Sequence, residues 1–167
     1  MSAEKKRLFM DLYQPVHNKF ERFCRARAYG EMESKDLMQE TIILAFEKFD
    51  QIQNRDAFLH FLFGISIRIL ANNARKMKAE HWSDVVLNEA SNSNEAERNL
   101  EVEDLYKAIA LLSESKREAI ILFEISGFSI KEIAKIQSSS EDAVKQRLVR
   151  SRQELAQQLT EYSLQKA

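Results

Sequence analysis

An all-α chain is expected from three features of the sequence. Only three Gly and one Pro among 167 residues leave little turn chemistry. Apolar residues recur at helical spacing through most of the length. One acidic, weakly patterned stretch, His81 to Asn99, separates two short halves. The expected architecture is two small helical domains, residues 1–80 and 100–167, joined by a polar linker at 81–99. Each is large enough for one compact core.

In the first half, Leu8, Phe9, Leu12, Val16, Phe20 and Phe23 mark a helix from about Glu4 to Ala28. Pro15 lacks an amide hydrogen and should kink or restart it. Cys24 adjoins the apolar stripe and reads as a small core residue; as the single cysteine it excludes an internal disulfide and fits a reducing cytoplasm. Gly30 suits a left-handed cap. Ser34 then suits an N-cap, with Asp36 in the first turn of a helix reaching about Phe49. Leu37, Thr41, Leu44 and Ala45 share its inner face. Asp36, Gln39, Glu40 and Glu47 lie mostly off that face, and read either as solvated surface or as an acidic docking face.

After the polar loop Asp50–Asn54, a third helix is expected from about Asp56 to Lys78. It would bury Phe58, Phe61, Leu62, Ile65, Ile69 and Leu70 and set Arg68, Asn72, Arg75 and Lys76 on a polar, basic side. Aromatic rings beside cations either grip an unwound strand or fill a core, and the core is the default. No apolar run looks long enough to cross a bilayer, since Phe58–Ala71 is interrupted by His60 and Arg68. Met1–Arg7 has no signal-peptide pattern.

The second half restarts with Leu105, Ile109 and Leu112, followed by a helix capped by Ser113 and ending at Gly127. Ser129 and Ser140 then cap two further helices around the polar turn Gln137–Ser140. Val144, Leu148 and Leu155 form one stripe on the last helix, while Asp142, Lys145, Gln146, Val149, Arg150 and Gln153 fall opposite. This is the layout of a helix-turn-helix, whose second helix offers its N-terminal residues to a DNA major groove. The bland alternative is an amphipathic surface helix.

A formal net charge of −1 is unusual for an autonomous DNA binder. The charge is segregated, however. Lys131, Lys135, Lys145, Arg147, Arg150 and Arg152 form one basic patch and Arg55, Arg68, Arg75, Lys76 and Lys78 another, with acid concentrated between them. That pattern suggests DNA contact that depends on a partner. There is no Gly-rich phosphate loop, no Cys/His metal spacing and no nucleophile–base order. His17, His60 and His81 are scattered, so neither an enzyme nor a metal or cofactor is expected.

Taken together, these motifs resemble the extracytoplasmic-function (ECF) sigma factors of bacterial RNA polymerase, from about Leu12 to Leu155. Asp36–Phe46 is similar to sigma region 2.2, and Phe58–Arg75 to regions 2.3 and 2.4. The second half is similar to region 4, with Arg117, Gly127, Ser129, Glu132, Ile133, Ala134, Val144, Lys145, Arg147, Leu148, Arg150 and Arg152 in step.

The resemblance implies a region 2 helical bundle and a region 4 helix-turn-helix acting as a promoter-specificity factor in the cytoplasm. Its partners would be core RNA polymerase, promoter DNA and an anti-sigma factor, with no membrane insertion. Docking on the polymerase clamp would fall to Asp36, Leu37, Gln39 and Glu40. Melting and reading of the minus-ten element would fall to the loop bearing Asn54 and Arg55 and to Arg68, Asn72, Arg75 and Lys76. The minus-thirty-five element would be read by the Ser140–Arg152 helix, with Lys145 and Gln146 near bases, Arg147 and Arg150 on phosphates, and Ser140 and Val149 also in the DNA-binding set.

The chain departs from the family pattern at Phe61, Arg68 and Asn72, usually Trp, Asn and Asp, and at Gln137–Ser139, usually Leu-Gly-Ile. The latter leaves the turn without apolar packing. A stand-alone DNA-binding regulator and a purely protein-binding helical module are the rival readings.

Overall fold

Ser2 and Pro15 delimit the first helix. The Ser2 hydroxyl accepts from the Lys5 backbone N–H at 3.1 Å, starting α1 (Ala3–Tyr13). Pro15 sits in a single 3₁₀ turn, Gln14–Val16, from which α2 (His17–Ala28) restarts. The structure, a computed structural model, describes residues 2–80 and 100–166. They form two compact units, each treated by itself below. The expected linker at 81–99 lies outside the described residues. Every regular element among the described residues is helical.

In the first unit, Gly30 takes φ 77° and ends the second helix as expected. Helix α3 (Ser34–Glu47) begins one residue away from expectation. Glu33 holds the cap position, no side-chain cap bond forms there, and Ser34 is already helical. A 3₁₀ turn at Phe49–Gln51 and another at Arg55–Ala57 lead into the 23-residue α4 (Phe58–Glu80). Helix α3 packs on α2 and α4.

Aromatic rings fill the core of this unit. Phe9 meets Phe46, Phe49 and Phe58 edge-on, with centroids 5.4–5.5 Å apart, and Phe23 lies 4.2 Å from Phe63. Two buried hydroxyls are satisfied within their own helices: Thr41 donates to the Leu37 carbonyl at 2.7 Å and Ser66 to that of Phe63 at 2.9 Å. Cys24 is fully buried, and loss of hydration pushes its thiol well above the ordinary range, so it stays a neutral core residue.

Contrary to expectation, Arg55–Ala79 does have the length and composition of a bilayer-crossing helix. Within the unit its apolar residues have another use. Phe58, Leu62, Phe63, Ile65, Ile69 and Leu70 are buried, as a core helix requires.

The second unit is built on its last helix. Helix α5 (Leu100–Ala110), α6 (Glu114–Ile120) and α7 (Ile130–Ile136) all pack against α8 (Glu141–Lys166), a 26-residue element. After α6 the chain widens into one π turn, Ile121–Ile125, in which the Ser126 N–H donates to the Ile121 carbonyl at 3.1 Å. Gly127 then reverses the chain at φ 74°. Ala108, Ile109, Leu112, Ile120–Leu122, Phe128, Ile133, Val144 and Leu148 make the core. Ser113 occupies its expected cap position but makes no side-chain cap bond. Ser129 does cap α7, accepting from the Glu132 N–H at 3.2 Å while donating to the Glu132 carboxylate at 3.1 Å.

Candidate nucleic-acid interface

Helices α7 and α8 form the helix-turn-helix. Burial of Val144, Leu148, Ser151 and Leu155 fixes which side of α8 faces inward. Asp142, Lys145, Gln146, Val149, Arg150 and Gln153 are consequently all exposed, as their spacing predicted. The Lys145 side chain is 58% exposed, and its ammonium stands 3.8 Å from the Asp142 carboxylate. In water such a contact is weak, so the ammonium is available to an anion. Val149, 51% exposed, adds an apolar contact of the kind that recognises a thymine methyl group. Ser140 is exposed at the helix start, where its hydroxyl accepts from the Ala143 N–H at 3.1 Å.

Arg147 and Arg152 are instead engaged within the unit. Arg152 makes two hydrogen bonds, 2.7 and 3.0 Å, to one Glu124 carboxylate oxygen and lies 5.5 Å from the Phe123 ring centre. It ties α8 to the π turn. Arg147 is half-buried and directed at the turn, where one guanidinium nitrogen donates to Gln137 Oε1 and Ser139 Oγ, each at 2.8 Å. Gln137 Nε2 in turn donates to the Ser115 carbonyl at 2.9 Å. Sequence periodicity placed these residues in a loosely packed turn and did not indicate this bridge. Three consecutive polar residues without apolar packing were its available signal.

In the first unit, Gly64, Arg68, Asn72 and Arg75 form an exposed stripe along α4, with Lys76 beside it. The loop before α4 is well anchored. Phe49 is buried, and the Asn54 side chain accepts from the Asp56 N–H at 3.0 Å. The Lys5 ammonium on α1 reaches the Asp50 carboxylate at 2.6 Å. A cavity of about 340 Å³ opens where this loop meets α1, lined by Ser2, Glu4, Lys5, Leu8, Phe49, Asp50, Ile52 and Arg55. Leu8, Phe49 and Ile52 give it apolar surface beside four charged side chains, a mixture suited to a flat polar ring. Lys5 was missed because its partner lies 45 residues away.

Helix α3 requires one correction. Leu37, expected on the polymerase-docking face, is 0% exposed and belongs to the core, one turn from buried Thr41. Asp36, Gln39 and Glu40 are exposed as expected. The apolar member of that surface is Ile43, 58% exposed in the stripe that carries Asp36, Glu40 and Glu47. The wheel that separates Leu37 from Asp36 also puts Ile43 outside, so an isoleucine opposite the buried face was the overlooked signal. No group of three or more His, Cys, Asp or Glu fit to hold a metal occurs among the described residues.

A family profile described as Sigma-70, region 4 matches residues 103–155, which include α6, α7 and the reading face of α8. The ECF RNA polymerase sigma factor EcfG of Rhodopseudomonas palustris is 30% identical over 123 residues, covering 72% of this chain and 68% of that protein. RNA polymerase sigma factor NccH of Alcaligenes xylosoxydans xylosoxydans is 26% identical over 141 residues, covering 78% and 76% respectively. The sigma factor RpoE of Bartonella quintana, solved in complex with the anti-sigma factor NepR, matches with a TM-score of 0.72 and 28% identity, over 90% of this chain and 98% of that one. CnrH, solved in complex with the cytosolic domain of CnrY, shares the fold, with a TM-score of 0.67 and 24% identity over 93% and 89%. A helix-turn-helix with an exposed basic face, preceded by a second helical unit and matched across most of its length by such relatives, has one interpretation: the chain belongs to the ECF sigma factors and is a promoter-specificity factor for RNA polymerase.

Proposed function

We propose that the two units divide the promoter between them. Exposed Lys145, Gln146, Val149 and Arg150, near the N-terminus of α8, read the minus-thirty-five element, with Ser140 at the helix start. That solvent-facing set, opposite the buried Val144–Leu148–Leu155 stripe, is the observation that carries the proposal. In the first unit, Arg68, Asn72, Arg75 and Lys76 follow the backbone of the minus-ten element. The loop carrying Asn54 and Arg55, with the cavity beside it, receives a base turned out of the duplex. Asp36, Gln39 and Glu40, with Ile43 among them, dock on core polymerase.

The polymerase does the chemistry in this reading, so the chain itself is no enzyme and works in the cytoplasm. The same α3 surface is suited to an anti-sigma factor that competes with polymerase. Support comes from the Bartonella quintana relative, which was solved in complex with an anti-sigma factor.

Transcription from a random promoter library by core polymerase and the full chain tests the division. Selected promoters should share two separated elements, and the free chain should bind those duplexes poorly. Lys145→Glu should reduce transcription from them by at least ~10-fold, as expected for losing a base-edge contact and adding repulsion. Tight, specific duplex binding by the free chain, with no transcription when core is added, would establish a stand-alone regulator instead. Undiminished transcription by Lys145→Glu would remove the DNA role of α8.

A further inference from the structure

We propose that Arg147 is a positioning residue, which sets the angle of the reading helix through a polar bridge across the turn and makes no contact with DNA. The inference rests on the reading of α8 as the element that meets the minus-thirty-five duplex. Arg147 lies between buried Val144 and Leu148 on one side and exposed Gln146 and Arg150 on the other, so periodicity alone leaves its direction open. In the fold it turns inward. One guanidinium nitrogen donates to both Gln137 Oε1 and Ser139 Oγ, at 2.8 Å each. The Gln137 amide then spans to the Ser115 carbonyl at the start of α6, at 2.9 Å.

The polarity of this bridge is unambiguous. A guanidinium only donates and a carbonyl only accepts, so the Gln137 amide has one orientation that satisfies both neighbours. The outcome is a relay from α6 through the turn to α8. It closes a turn that has Gln137, Ser138 and Ser139 in place of apolar packing. Hydrogen bonds from a charged donor are the stronger kind, and the two coplanar N–H groups of one guanidinium nitrogen set direction as well as distance. Lys145, Gln146, Val149 and Arg150 are therefore presented at an angle that Arg147 determines without touching the duplex.

The test uses holoenzyme assembled from core polymerase and the full chain, binding the duplex promoter selected from the library over a series of salt concentrations. Arg147→Ala should weaken binding about 3- to 10-fold, the scale of one or two internal hydrogen bonds. It should leave the slope of log K against log salt unchanged, whereas Arg150→Ala should reduce that slope by about one. Gln137→Ala should weaken binding similarly, and the double variant Gln137→Ala/Arg147→Ala should be no worse than Arg147→Ala alone.

Arg147→Lys serves as the variant that keeps the charge and the fold. Both bonds leave a single guanidinium nitrogen whose two N–H groups are fixed in one plane. A rotating ammonium on a shorter stem does not hold both acceptors in place, so Arg147→Lys should behave like Arg147→Ala. Rescue by Lys, a slope reduced by about one in Arg147→Ala, or additive losses with Gln137→Ala would each overturn the proposal in favour of a phosphate contact. The underlying reading fails separately, if Lys145→Glu and Arg150→Ala leave binding and slope as they were.

Discussion

Ser138 occupies the left-handed region, with φ 50°, at the position of the turn where the chain must reverse between α7 and α8. A side chain there crowds its own backbone, an effect glycine avoids. Ser138→Gly should therefore stabilise the second unit by about 0.5–1 kcal/mol, after allowance for the greater freedom of glycine in the unfolded chain. Urea denaturation followed by circular dichroism measures this, and an unchanged or lowered midpoint would show that the strain is relieved elsewhere. Neighbouring Gln137 and Ser139 are the other half of the same arrangement. Both are polar where apolar packing would be ordinary, and both accept from Arg147. Their polarity signalled an unusual turn but did not name the donor, which comes from the next helix.

Helix α3 shows how one element serves two solvents. Leu37, Thr41 and Ala45 are buried against α2 and α4, and the opposite side carries Asp36, Glu40, Ile43 and Glu47. An exposed apolar side chain ringed by carboxylates resembles the centre of a binding patch, where desolvated contacts dominate the energy. Ile43→Lys should lower affinity for core polymerase about tenfold or more while leaving the melting temperature nearly unchanged. Fluorescence titration of labelled core checks the first and calorimetry the second; unaltered affinity would move the docking surface elsewhere. Helix α4 makes the complementary point. Its long apolar run arises from burial of one side from Phe58 to Leu70, while Arg68, Asn72 and Arg75 stay in water on the other.

For the molecule as a whole, the main consequence is that each unit has its own core. Phe63 is almost fully buried and in contact with Phe20 and Phe23 of the first unit. Phe63→Ala should cost the first unit about 3–5 kcal/mol. Hydrogen exchange should then show lost protection in α2–α4 and retained protection in α6–α8. Loss in both would mean that the units fold as one. Separate cores fit the proposed division of the promoter, because each unit can then hold its proposed reading surface in shape by itself.

Helix existence, the buried stripe of each helix and the exposed set on α8 follow from periodicity alone, since burial of one side forces the opposite side into water whatever surrounds it. Gly30 and Gly127 were legible for a similarly local reason, as both take positive φ at helix ends. Contacts between elements were not legible. The Lys5–Asp50 anchor of the α4 loop and the inward turn of Arg147 depend on which helices come together. Hydrophobic spacing specifies which face of a helix is buried. It contains no information about which distant side chain a polar group will meet, and such meetings, here between Arg147 and the turn, are decided by the tertiary structure.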